Sequence, residues 1–215
     1  MLVRRSLLAT GLLGLALVSA CTQISEGEPR AATAEAPTST SAPNTTGNGG
    51  DEELPFAGAP KVDNPLDTSR YEQDPCQSLT ADQAQSLNLP PTGTINNDVA
   101  LGIGCDWFNE ETRGEVTIAF IVDDPRGLSP EYEANEAGKW KIFEELPDIE
   151  GYPAIIRSLS DTRELGDCSV LVGVADDMVF ASNLQLSQAN VGKKDPCEVA
   201  VQVAGMALQT MKAGA

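Results

Sequence analysis

The chain has 215 residues with 14 Lys+Arg, 32 Asp+Glu and no histidine, a formal net charge of −18. That charge repels phosphate backbones and anionic headgroups, which argues against nucleic acid and against a polybasic contact with membranes. The missing histidine excludes Ser-His-Asp and Cys-His catalysis and every histidine-based metal site, leaving carboxylate, Lys, Tyr or Ser-Lys chemistry for any enzyme.

Arg4 and Arg5 open the chain as a positive n-region, and an apolar run from Leu7 to Val18 follows, broken only by Thr10, Gly11 and Gly14. A bilayer span needs about 20 residues, so this run is an export signal rather than a stable anchor. It ends in Leu17-Val18-Ser19-Ala20-Cys21, which resembles the lipobox of bacterial lipoproteins. The resemblance implies residues 1–20 as a lipoprotein signal peptide and a diacylglyceryl group on Cys21. It also implies attachment to the extracytoplasmic face of the cell membrane. Two acyl chains anchor stably where one is marginal. The other reading is a plain signal peptide with an incidental cysteine. Arg4-Arg5-Ser6-Leu7-Leu8 faintly resembles a twin-arginine signal, but disulfides made outside favour the general secretory route.

Residues 21–70 read as the lipidated cysteine followed by a tether. The stretch is rich in Ala, Thr, Pro and Gly, carries Asp51-Glu52-Glu53 and lacks apolar periodicity. Such a segment cannot bury enough surface to offset its ordering entropy, so it is expected to be disordered, with a reach of roughly 40 Å. Ser/Thr with interspersed Pro is also an O-glycosylation composition. Leu54-Pro55-Phe56 and Val62 through Leu66 are expected to show partial order at most.

From Tyr71 to Ala215 the chain reads as one domain. It holds Cys76, Cys105, Cys168 and Cys197, an even number that reads as two disulfides in an exported chain, with three possible connectivities. Asp74-Pro75-Cys76 and Asp195-Pro196-Cys197 each place an N-cap Asp before a Pro at the first helical position, so both predict helix starts. Val199, Val203, Met206 and Leu208 to Met211 continue the second at helical spacing to about Lys212. Thr80 and Gln83 predict a capping box, with a short helix to about Leu87.

The other two cysteines lie in strand patterns. Leu101, Ile103, Cys105 and Trp107 alternate onto one face, as do Cys168, Val170, Val172 and Val174. Ala175-Asp176-Asp177 then turns the chain into a return strand with Met178, Phe180, Leu184 and Leu186. The economical pairing joins helix start to strand, Cys76–Cys105 and Cys168–Cys197, each worth about 3–4 kcal/mol by loop-closure entropy. Free or metal-binding thiols are the competing reading, weakened because no CxxC spacing exists.

Between them, Val116, Ile118, Phe120 and Val122 predict a strand, and Pro130 to Gly138 a short acidic helix. Lys141 to Leu146 and Ala154 to Leu159 predict two strands separated by Pro147 through Pro153. The expected fold is α+β, an antiparallel β-sheet of about five or six strands with helices packed on one face and two disulfides.

The lipobox, the tether and the Asp-Pro-Cys followed by Leu79-Thr80 combine with Gly104-Cys105-Asp106-Trp107, Gly151-Tyr152-Pro153-Ala154, Asp167-Cys168 and the terminal Asp-Pro-Cys helix. Together they resemble an actinobacterial lipoprotein family, domain of unknown function 3558. The resemblance implies an exported, lipid-anchored envelope protein and no catalytic residues.

Trp107 is expected to pack on a disulfide and the core rather than stack on a sugar or acyl ligand. Trp140 with Tyr132 and Phe143 is the better exposed-aromatic candidate. Asp123-Asp124, Asp176-Asp177 and Glu144-Glu145 with Asp148 and Glu150 lack the alternating spacing of a calcium loop. Paired carboxylates for glycoside hydrolysis are a matter of separation in space. No cofactor or metal is expected. The leading expectation is a non-catalytic binding or accessory domain, held to the membrane through Cys21, that meets an envelope protein or cell-wall component. The alternatives are a carrier or sensor of a small apolar ligand such as a lipid, held between helix and sheet, and a histidine-free hydrolase.

Overall fold

The computed structural model describes residues 53–100 and 102–214. The signal peptide, Cys21, the tether up to residue 52 and Leu101 lie outside the described residues.

Alternating apolar positions build one antiparallel sheet of seven strands: β1 (Thr94–Asn96), β2 (Ile103–Phe108), β3 (Glu115–Phe120), β4 (Ile142–Ile149), β5 (Tyr152–Ser158), β6 (Asp167–Ala175) and β7 (Met178–Gln185). Their order is β1-β2-β3-β7-β6-β5-β4. The strand beyond the five or six expected is β1. It has three residues, with Thr94 and Ile95 exposed, so it carries no alternation to read. β3 stops at Phe120, and Val122, placed on that strand by its spacing, is 37 % exposed. Leu159 likewise falls beyond the end of β5.

The stretch from Pro147 to Pro153 is not a separator. β4 and β5 run through it and meet at Glu150-Gly151, whose φ angles of 53° and 88° are both left-handed, as a two-residue hairpin turn requires. Pro147 sits on the edge strand where the register shifts, so its missing N–H disrupts no ladder bond.

Among the described residues four α-helices accompany the sheet: α1 (Ser69–Gln73), α2 (Ala81–Ser86), α3 (Ser129–Glu136) and α4 (Pro196–Gly214). Asp195 caps α4 as expected, accepting from the Cys197 N–H at 2.8 Å. Asp74 does not cap its neighbour. Pro75–Ser78 forms only a single 3₁₀ turn, and the Asp74 carboxylate accepts from the Gln77 side chain instead. The Thr80–Gln83 capping box is present in both directions.

One face of the sheet presents Cys105, Trp107, Val116, Ile118, Phe120, Val170, Val172, Val174 and Phe180 to the inner core. Against it α4 lays Ala200, Val203, Ala204, Ala207, Leu208 and Met211, all with no solvent exposure. Three alanines on that stripe bring the helix backbone close to the strands. Ser182, a buried polar group in the seam, donates to the Ala200 carbonyl at 3.1 Å. The disulfides Cys76–Cys105 and Cys168–Cys197 pin a helical first turn to a strand at each end of this layer, with Cα separations of 5.1 Å.

The opposite face is half covered. α3 and the segment before it pack Leu128 and Tyr132 onto Ala119, Ile155, Leu171, Val179 and Ala181, and Ala59 joins them. Residues 56–68, expected to be at most partly ordered, form a strap instead. Phe56 N–H donates to Ser129 Oγ at 3.0 Å, Val62 N–H to Asp176 Oδ1 at 2.8 Å and Leu66 N–H to the Val174 carbonyl at 2.9 Å. Ala59 is buried in the outer cluster and Val62 in the inner one, so the strap passes around the β6–β7 turn from one face to the other. Its sequence hides this because its apolar residues are few and have no period.

Candidate functional site

Three loops meet at the end of the sandwich where β3 begins and β7 ends. The first follows α2. There Asn88 N–H bonds the Gln85 carbonyl and Leu89 N–H bonds the Ala84 carbonyl, closing the helix with Asn88 left-handed at φ 60°. This is the Schellman pattern, which favours Gly or Asn at that position. The second is the β2–β3 turn, where Asn109 Oδ1 accepts from the N–H groups of Glu111 and Thr112. The third runs from Leu186 to Lys194, folded by bonds from Asn190 N–H and Val191 N–H to the Ser187 carbonyl.

The loops are tied together. Asn109 Nδ2 donates to the Asn88 carbonyl at 2.8 Å, and Gln188 N–H donates to the Thr112 carbonyl at 3.2 Å. They enclose a recess of about 270 Å³ whose fourth wall is the start of α4, held by the Cys168–Cys197 bridge. Its floor is apolar, with Leu89, Val116, Leu184 and Leu186 buried and Leu87 and Val199 half-buried. Its rim carries Lys194, Asn190, Gln202 and Ser187, whose side chains make no hydrogen bond or ion pair among the described residues, and Glu115. Burial pushes the Glu115 carboxyl above its ordinary range, Asp106 adds to the rise and Arg113 opposes it. Outside the recess, shallower grooves continue past Pro90, Phe108 and Glu110, with the Arg113 guanidinium stacked 4.6 Å from the Phe108 ring centre.

A second cleft, of about 190 Å³, opens where β5 and β6 part. Their pairing ends at Ile156–Val170 although both strands continue. Its charges are largely spent on each other: Arg163 bridges Asp161 and Glu144, holding the Asp161 pKa down at about 2. Asp167 is raised by burial.

The side chains singled out from the sequence serve the fold. Trp107 is 1 % exposed, and the Cβ-free backbone of Gly93 leaves room for it beside the Cys105 sulfur. Trp140 has Lys139 and Arg157 over its ring, at 4.6 and 4.8 Å from the centre, and donates to the Glu131 carbonyl. Tyr132 meets Phe143 edge-on at 5.1 Å. Asp124 pairs with Arg126, Asp176 holds the strap and Glu150 accepts from Gln209. Among the described residues no three acidic or cysteine side chains gather as metal ligands. No described helix is long and apolar enough to cross a membrane.

Residues 16–210 match the family described as "Protein of unknown function (DUF3558)". The chain belongs to that family. The match bears out the resemblance to domain of unknown function 3558. No curated protein and no solved structure matches the chain. For this DUF3558 member the recess is therefore read from its own residues. Of its lining, Asn88, Glu115, Asn190, Lys194 and Gln202 had no sequence signal. Leu184 and Leu186 read from the sequence as positions on the return strand, although Leu186 lies just past β7, and nothing local marks them as the floor of a cavity.

Proposed function

We propose that this chain is exported, lipid-anchored through a diacylglyceryl group on Cys21, and displays a non-catalytic binding or accessory domain at the outer face of the cell membrane. The observation that carries the binding role is the recess. Three mutually hydrogen-bonded loops and a disulfide-pinned helix present unengaged polar side chains over an apolar floor, the usual build of a preformed small-molecule site. Two disulfides in a four-cysteine domain support passage through an oxidising compartment. The partner class is an envelope component, and the net charge of −18 disfavours nucleic acid.

A lipid carrier with its ligand between helix and sheet finds less support, because the side chains on both sides of that seam are buried, those of α4 to zero exposure. A Ser-Lys hydrolase needs the serine hydroxyl bonded to the lysine. Ser187 and Lys194 share the recess without such a bond.

Two measurements test the reading. Mass analysis of the native product is expected to give an acylated Cys21 at the N-terminus, and Cys21→Ala should release the chain from membranes. Capture of envelope components by the full chain should be lost when Gln202→Trp fills the recess from an exposed helix position. An unmodified Cys21, or capture indifferent to that substitution, would overturn the corresponding half.

A further inference from the structure

We propose that the recess binds a free α-amino acid with an apolar side chain, a ligand assignment that rests on the binding role proposed above. Size sets the first bound. A dry cavity of about 150 Å³ accommodates benzene, so 270 Å³ suits a molecule of about nine to twelve non-hydrogen atoms. That is the range of leucine, methionine and phenylalanine, and well short of a lipid.

The floor sets the second. Val116 and Leu184 from the sheet and Leu186 just past the end of β7, with Leu87 and Leu89 from the α2 turn and Val199 from α4, present an apolar surface that a hydrocarbon side chain would cover. A ligand polar throughout would leave that surface unmatched.

Charge sets the third. The rim carries one cation, Lys194, on the loop entering α4, and one carboxylate, Glu115, at the first residue of β3. A purely anionic ligand would face Glu115 and the negative field of a chain with net charge −18. A purely cationic ligand would face Lys194. A zwitterion satisfies both, its carboxylate on Lys194 and its ammonium on Glu115, each as a charge-assisted bond. Asn190 and Gln202, with unengaged amides, supply further donors and acceptors around the head group. The loop carrying Lys194 and Asn190 is already tied to the β2–β3 turn, and Glu115 and Gln202 stand on a strand and a helix, so binding orders little additional chain.

Titration calorimetry on the full chain in detergent, under non-reducing conditions, tests this with L-leucine, L-methionine and L-phenylalanine. The controls are leucinamide, which lacks the carboxylate, 4-methylpentanoate, which lacks the ammonium, and glycine, which lacks the side chain. Binding of at least one apolar amino acid is expected, with each control weaker by about tenfold or more. Lys194→Ala and Glu115→Gln should each weaken it by a similar factor. Lys193→Ala, next in sequence but outside the recess, should leave it unchanged. Equal binding of leucine and 4-methylpentanoate, indifference to both rim substitutions, or no heat with any amino acid would overturn the assignment. If amino acids fail while Gln202→Trp still abolishes capture of envelope components, only the ligand class falls. If both fail, the binding role falls with it.

Discussion

Asn88 occupies a left-handed backbone position that also sets the wall of the recess, so its substitutions separate conformational cost from lost contact. Asn88→Ala is expected to destabilise by about 1–2 kcal/mol in urea unfolding, since an ordinary L-residue pays that for the left-handed region. Asn88→Gly should be neutral within a few tenths of a kcal/mol. Glu115 gives a prediction in pH. Its carboxyl is raised by burial and by Asp106, so the folded state holds its proton more tightly than the unfolded chain does. The stability this lends is fully present below the unfolded value of 4.5 and is lost as pH rises through the folded pKa. Above the folded pKa the charged, half-buried carboxylate is therefore a liability. Glu115→Gln should raise the melting temperature at pH 7, and its advantage should vanish by about pH 4. A variant equally displaced at both pH values would show that charge is not the cause.

At the scale of elements, α4 and the strap do different work. α4 covers the inner face of the sheet, and Met211 is fully buried near its end. Met211→Ala is expected to cost about 2–5 kcal/mol. The strap joins the two cores. Ala59 seals the outer cluster, Val62 the inner one, and Asp176 fastens the crossing. A chain begun at Tyr71 should melt at a distinctly lower temperature than one begun at Glu53, because both clusters would open to water at the same end of the sheet. Equal melting of the two chains would make the strap a passenger. At that crossing Gly127, with φ 58°, would drive a Cβ into the Asp176 carbonyl, which accounts for a glycine on the way into α3.

For the whole molecule, the two crosslinks divide the labour. Each closes a separation of 29 residues, so removing either by paired Cys→Ala substitution should cost about 3–4 kcal/mol in denaturant unfolding. The effects on the recess should differ. Loss of Cys168–Cys197 frees the start of α4, which is a wall of the recess, whereas Cys76–Cys105 ties the short turn before α2 to β2 and does not touch it. Ligand binding measured on the two double variants should therefore fall only in the first. The folded domain should yield no titratable thiol from these four cysteines until it is denatured and reduced.

Much of this architecture is written in local chemistry. Asp195-Pro196 starts a helix, Thr80 and Gln83 cap one, and alternation puts Cys105 and Cys168 on the face that a helix covers, so the cysteine pairing follows from neighbours a few residues away. Capping and alternation act within a turn or a strand, which is why they can be read without the fold. Local patterns failed where the decisive partner is distant: β1 exists because β2 is there to pair with, and the strap is held by a turn more than a hundred residues downstream. The recess belongs to the same class. Glu115 and Lys194 share it only because β3 pairs with β7 across the intervening strands, and no periodicity records which strand lies beside which. Sequence alone determined most of the elements and pointed to their crosslinks. The order of the strands, fixed by burial of both sheet faces at once, decided what those elements enclose.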